Sequence, residues 1–317
     1  WRMAGDFDVI HAHSPYVFST LVALMAARHH QKPFILSPHE GLTRFDRGKA
    51  SLKTLIWLKE IFAEKYYARA NAIIFASDLE ERDSVNGRGK NGRAVNGKSA
   101  QKRTNRNKNQ AKLYNLPLPV GVKNDLHQNT AKIDANAPIQ IGYLGRIDAK
   151  KNLPILINAL SVAVNRFDAK LHLTVAGGGD QELLRQIQHQ AGSHNLQAHI
   201  TWLGFINQAA REKFLADIDI LVVPSVFESF GLVAAEAMAA WVPVMASPTV
   251  GVADDITKYQ AGIVVPPRAD ALAVALRRLN RDELAIWGRA AHKLVSEKYA
   301  HATIGQGLRR IYQELVT

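Results

Sequence analysis

From residue 139 to 265 the chain repeats one unit six times: a short apolar run, a polar turn, then a stretch with apolar side chains at helical spacing. The runs lie at 139–144, 171–176, 200–203, 218–223, 243–246 and 263–265, and helical stretches fall near 152–166, 180–192, 207–216, 231–240 and 270–280. Short, continuous apolar runs bounded by turns read as strands buried on both faces. Strands alternating with helices in this way assemble into a parallel sheet covered by helices on both sides. Six such units make a complete doubly wound domain, in which ligands gather outside the carboxyl ends of the strands.

The same rhythm is sparser upstream. Phe7-Asp8-Val9-Ile10, 33–36 and 72–76 read as strands, with helices expected at 17–29 and 51–69. A chain of 317 residues exceeds what one core usually holds, so two domains are expected. Their expected bounds are 1–125, carrying a basic insertion at 86–112, and 126–282, with polar residues at 123–138 as the link between them. Two closing helices within 283–317 need a surface on which to bury Leu284, Trp287, Leu294, Ile304, Leu308, Ile311 and Leu315, and are expected to cross back to the first domain. That first half is short of strands and opens in mid-pattern, as expected of a domain lacking its own beginning.

The net charge of +12 suggests nucleic acid until it is mapped. Arg88, Lys90, Arg93, Lys98, Lys102, Arg103, Arg106, Lys108 and Lys112 supply most of it, in a segment rich in Asn and Gly with little apolar surface to bury. Such a composition reads as a solvated loop, and it lacks the interleaved aromatics of a base-stacking platform. Zero cysteines exclude disulfides, thiolate metal sites and a cysteine nucleophile, consistent with a reducing cytosol. No apolar run reaches the ~18–20 residues of a membrane-spanning helix, and the first residues do not read as a secretory leader. Arg44, Arg47, Lys49, Lys53, Lys59, Lys65 and Arg69 accompany Phe45, Trp57 and Phe62, a pattern suited to peripheral contact with an anionic membrane or to a solvated helix packed on its own sheet.

Three segments place polar groups at strand ends of the second domain. After the run 218–223 comes Pro224-Ser225-Val226-Phe227-Glu228-Ser229-Phe230-Gly231-Leu232, opening a small-residue helix. Backbone amides of Phe230, Gly231 and Leu232 at a helix start favour phosphate, while Glu228 and Glu236 flank that start with hydroxyl-accepting carboxylates. After the run 139–144, Arg146 and Lys151 bring two cations to the same end of the sheet. Gly177-Gly178-Gly179 lacks the third glycine of G-x-G-x-x-G, which argues against a dinucleotide oxidoreductase and leaves a tight turn or a ligand contact. In the first half, His11, His13 and His39 follow expected strands and could meet sugar hydroxyls or move protons. No carboxylate or cysteine cluster completes a metal site around them.

Taken together, Glu228 and Glu236 as E-x7-E, with Gly145, Arg146 and Lys151 as G-R-x4-K, resemble the retaining glycosyltransferases of family 4. The likeness runs from Asp8 to about Leu308 outside the basic insertion, and includes Asp8-Val9-Ile10-His11-Ala12-His13 and Trp202-Leu203-Gly204-Phe205. It implies the α/β GT-B fold, two Rossmann-like doubly wound domains facing a cleft, the first one incomplete here. It implies transfer of a sugar from a nucleotide-sugar donor to a glycan or lipid-linked acceptor with retained anomeric configuration and no obligatory metal or other cofactor. A non-catalytic nucleotide-sugar-binding remnant is the alternative.

By the resemblance, Arg146 and Lys151 neutralise the diphosphate, Glu236 holds the ribose, Glu228 the transferred sugar, and His39 touches the reacting sugar. His11 and His13 are candidates on the acceptor side. The chain departs from the family in lacking its first strand and glycine-rich loop, in its basic insertion, and in Trp241. The family usually has glycine there, in a left-handed conformation that costs a bulky residue roughly 1–2 kcal/mol.

Overall fold

A computed structural model describes residues 1–47, 66, 68–85, 111–122 and 137–317. Nearly all of the expected helix at 51–69, most of the basic insertion, most of the expected link, and most of the cationic residues proposed for membrane contact lie outside the described residues.

The elements follow in order: β1 (Ile10–His13), α1 (Phe18–His29), β2 (Phe34–Ser37), β3 (Ala72–Phe75), α2 (Asp78–Val85) and β4 (Lys112–Asn115). Then come β5 (Ile139–Leu144), α3 (Leu153–Asn165), β6 (Leu171–Ala176), α4 (Gln181–Ser193), β7 (Ile200–Gly204), α5 (Gln208–Asp217), β8 (Ile220–Val223) and α6 (Leu232–Ala239). The chain closes with β9 (Val244–Ala246), α7 (Ala253–Tyr259), β10 (Gly262–Val264), α8 (Ala269–Arg277), α9 (Arg281–Leu294) and α10 (His301–Val316). The contacts divide these into two compact units, one of residues Trp1–Leu118 with Ile304–Thr317 and the other of Pro119–Thr303. No described helix is long and apolar enough to cross a membrane.

The first unit carries a parallel sheet in the order β1-β2-β3-β4. Its first strand starts later than Phe7. Ile10 pairs with Phe34 and His13 with Ser37, while Phe7 is more than half exposed. His11 and His13 therefore sit on β1 rather than after their strand, while His39 follows β2 as expected. Lys112 likewise belongs to an edge strand, where its ammonium meets Glu314 at 2.8 Å, and not to the basic insertion. An edge strand with exposed side chains has no apolar run to betray it. One face of this sheet packs Phe34, Leu36 and Phe75 with Leu24 and Tyr66. The other, formed by Ile35, Ala72 and Ile74, is covered by Leu308, Ile311, Tyr312 and Leu315 of α10.

Only the last of the two closing helices joins the first unit. The other, α9, packs on α6, α7 and β10 within the second unit, which is where Leu284 and Leu294 are buried. Six βα units did not exhaust that unit's apolar surface.

The second sheet runs β10-β9-β8-β5-β6-β7, all parallel, so strand order reverses between β5 and β8. Leu156, Leu160, Leu173, Ile220 and Val222 form its core with α3 and α8. Trp241 follows α6 with φ 64°, its indole stacked on His292 at 3.9 Å and its N–H without a hydrogen-bond partner among the described residues. A left-handed bulky residue is strained, whereas glycine is not but loses more freedom on folding. Trp241→Gly is thus expected to be more stable than Trp241→Ala by about 0.5–1 kcal/mol in urea unfolding. An alanine variant equal to or above the glycine variant would mean that Trp241 carries no backbone strain.

Candidate functional site

At the strand-order reversal, the loops after β5 and β8 meet. Val226 N–H donates to Lys150 O at 2.8 Å, and Asn152 Nδ2 donates to Pro224 O at 3.2 Å. Asp148 caps a short turn by accepting from the amides of Lys150 and Lys151 at 2.9 and 3.2 Å. This cap turns Lys151 inward, where Nζ lies 2.5 Å from Glu228 Oε1, and both side chains are largely buried. Arg146 instead points out, its guanidinium 2.8 Å from Asp148 and three-quarters exposed. The carboxylates of Asp148 and Glu228, after burial, hold the Tyr143 phenol well above its ordinary range.

The Gly177–Gly179 segment proves to be a brace for this loop. A Cβ on Gly177 would lie 1.8 Å from Gly145 O, and one on Gly179 would lie 2.4 Å from Ile147 O. Gly145 and Ile147 in turn donate to Ala176 O and Gly178 O at 3.1 and 2.9 Å.

The loop after β8 is fixed from the other side by the segment before α7. Glu228 N–H donates to Thr249 O at 3.0 Å, and Gly251 N–H returns to Glu228 O at 2.9 Å. Gly231 takes φ 95°, with Val250 Cγ1 only 2.6 Å from where a Cβ would be. Phe230 is buried against Tyr299 at 5.2 Å, which seats the start of α6. Glu236, one turn in, contacts the guanidinium of Arg211 on α5, and both are about one-quarter exposed. Leu232, Glu236, Arg211, Gln208, Val120 and His301 line a cavity of about 480 Å³. Thus Arg146, Lys151, Glu228, Phe230, Gly231, Leu232 and Glu236 gather at one end of one unit. Arg211 was missed, because Ala-Arg-Glu-Lys on a surface helix carries no sign of a buried pair.

The histidines form a stack in the first unit. His11 and His13 rings lie 4.5 Å apart, His13 and His39 5.0 Å apart and nearly parallel. His13 Nδ1 and His39 Nε2 share a hydrogen bond of 2.7 Å. Both nitrogens of His11 are engaged, with Tyr312 Oη at 2.8 Å and Ser37 Oγ at 2.9 Å, so His11 supports the stack from beneath. Burial, then the neighbouring His13 and His39, push His11 down to about 4. Burial, then His13, holds His39 below the ordinary histidine value. Among the described residues, no group of three or more His, Cys, Asp or Glu is arranged to hold a metal ion.

Residues 127–300 match the family described as glycosyl transferases group 1, and residues 1–96 match the glycosyl transferase 4-like domain. An uncharacterized glycosyltransferase of Methanocaldococcus jannaschii is 34% identical over 179 residues, covering 54% of this chain and 44% of that protein. The phosphatidyl-myo-inositol mannosyltransferase of Mycobacterium leprae is 27% identical over 327 residues, covering all of this chain and 76% of that protein. Among solved structures, the Anabaena protein HepE with UDP and glucose superposes with a TM-score of 0.74 at 17% identity, covering 99% of this chain and 80% of that one. Sucrose-phosphate synthase of Thermosynechococcus elongatus gives 0.72 at 19% identity, covering 98% and 74%.

Proposed function

The chain belongs to the group 1 glycosyl transferases, and from that premise we propose that it moves a sugar from a nucleotide-sugar donor to a glycan or lipid-linked acceptor with retention of anomeric configuration. The observation that carries the reading is the pairing of Lys151 with Glu228 beside a helix opened by left-handed Gly231, at the strand-order reversal. Arg146, Lys151 and the amides of Phe230, Gly231 and Leu232 take the diphosphate. Glu236, steadied by Arg211, takes the ribose, and Glu228 takes hydroxyls of the sugar.

In the reaction the bond from the anomeric carbon to the diphosphate oxygen breaks, and the acceptor oxygen bonds to the same face. The acceptor's proton passes to the departing phosphate. Positive charge on the anomeric carbon and negative charge on the leaving group both grow in the transition state. Preorganised cations and amides lower the cost of the second. Burial and like-charge histidine neighbours hold His11 and His39 below the ordinary histidine value, which disfavours a cation on either ring. A lipid-linked acceptor is supported by the likeness to a protein named for mannosyl transfer to phosphatidyl-myo-inositol.

The test is incubation with UDP-glucose and acceptor extracts, following UDP release and the anomeric proton of the product by NMR. An α-linked product from the α-linked donor, at a rate unaltered by a chelator, is expected. A β-linked product would refute retention, and donor binding with no transfer would leave only a binding protein.

A further inference from the structure

Glu80 is completely buried, yet among the described residues no cation pairs with it. It stands at the third position of α2, behind Ser77, whose hydroxyl accepts the Glu80 amide at 3.1 Å. In the usual helix-start box the glutamate reaches back to the amide of the capping serine. Here it reaches elsewhere. One carboxylate oxygen accepts the Ala76 amide at 2.7 Å, and the other accepts the amide of Glu40, from a different loop. One turn further along α2, Asp83 accepts the amide of Phe45 at 3.1 Å. Two carboxylates on one helix thus hold the loop that follows β2.

That loop needs holding. His39 and Glu40 have φ 45° and 76°, two successive left-handed residues that are not glycine. Such a conformation is unfavourable for any residue but glycine and persists only where neighbours enforce it. Gly41 closes the turn by donating its N–H to Pro38 O at 3.0 Å, and Pro15 presses on it so closely that a Cβ would lie 2.6 Å from its ring. The orientation of the Glu40 amide sets the direction in which the His39 ring leaves the backbone, and the ring lands flat on His13.

We propose that Glu80 is a positioning residue for His39, fixing the strained 39–40 turn so that the imidazole is presented in one orientation for sugar transfer. The proposal rests on the assignment of His39 to the reacting sugar. Burial pushes the Glu80 carboxyl up to about 7 against the pull of both amides, which shows how far the group has been drawn from water to reach them. A cap alone would not need it, since Ser77 already accepts the Glu80 amide.

The experiment uses the full chain carrying Glu80→Gln, with Glu81→Gln, whose half-buried carboxylate accepts from Asn115 and not from the 39–40 turn, as control, and reads the histidine ring signals by ¹H–¹⁵N NMR. A glutamine can accept one of the two amides, but its NH₂ opposes the other. Glu80→Gln is expected to move the His39 and His13 signals, leave those of His172 and His199 in place, and lower kcat with UDP-glucose roughly 10–100-fold at nearly constant donor KM. Unmoved ring signals overturn the proposal. So do moved signals with unchanged kcat in an enzyme that His39→Ala disables. If His39→Ala itself leaves turnover intact, the catalytic positioning fails together with the assignment of His39, and the ring signals then report only the clamp. Should Glu80→Gln not fold, the wild-type Glu40 amide decides. Slow exchange with a strong downfield shift supports the clamp, and exchange at the rate of an open loop amide overturns it.

Discussion

Removing Arg146 and Lys151 together is expected to weaken UDP binding by roughly 10²–10⁴-fold, at about 1.5–3 kcal/mol for each charged hydrogen bond lost. The design of the variant matters. Lys151 is paired at 2.5 Å with Glu228, whose side chain is only 13% exposed. Truncating the lysine alone strands a buried carboxylate, which costs several kcal/mol of stability and confuses the reading. Arg146→Ala with Lys151→Met and Glu228→Gln removes both cations without stranding the buried Glu228 carboxylate. UDP lacks the transferred sugar, so Glu228→Gln alone should leave its affinity unchanged or tighten it by releasing Lys151. The same single variant should erase much of the extra affinity of UDP-glucose over UDP. Calorimetry showing unaltered UDP affinity in the triple variant would remove both residues from the donor site.

His39→Ala is expected to lower turnover by about 10²-fold while leaving the UDP affinity of the second unit intact, the usual scale for loss of one aligned polar group. The pH dependence follows from the stack. On the role proposed for His39, its protonation would oppose developing positive charge, so kcat should fall on the acid side. Because burial and His13 hold His39 below its ordinary value of 6.5, that limb belongs below pH 6.5. A limb at higher pH would exclude this residue as its source.

Stability moves in the same direction. The folded value of His11, about 4, lies below its unfolded one, so the unfolded chain binds the extra proton between them. Its contribution is complete above pH 6.5 and is lost as pH falls toward 4. Partial exposure discounts it to about 1–2 kcal/mol. Hydrogen exchange should therefore show the first sheet opening before the second on acidification.

In the second unit β8 and β9 were legible because they are buried on both faces and announce themselves as unbroken apolar runs. At the edges of the first sheet the signal weakens: β1 was placed three residues early, and β4 was hidden in basic sequence. The helices α2 and α7 were overlooked because Asp78-Leu79-Glu80-Glu81 and Ala253-Asp254-Asp255 look like solvated turns. The convergence of Lys151, Glu228 and the amides before α6 at one end of the second sheet could be read from spacing. Arg211 and Glu80 could not, since what gives each its significance is a partner from a distant loop or helix.

The way α10 covers Ile35 and Ile74 also bears on how the chain leaves the ribosome. The second unit is continuous, Pro119–Thr303, and can fold as soon as it emerges. The first unit is split, and one face of its sheet stays bare until residues 304–317 are made. At ordinary elongation rates that wait lasts roughly 10–40 s. During it, the nascent strands β1–β4 present an apolar face to chaperones, so the yield of this protein will depend on them more than the stability of either finished unit suggests.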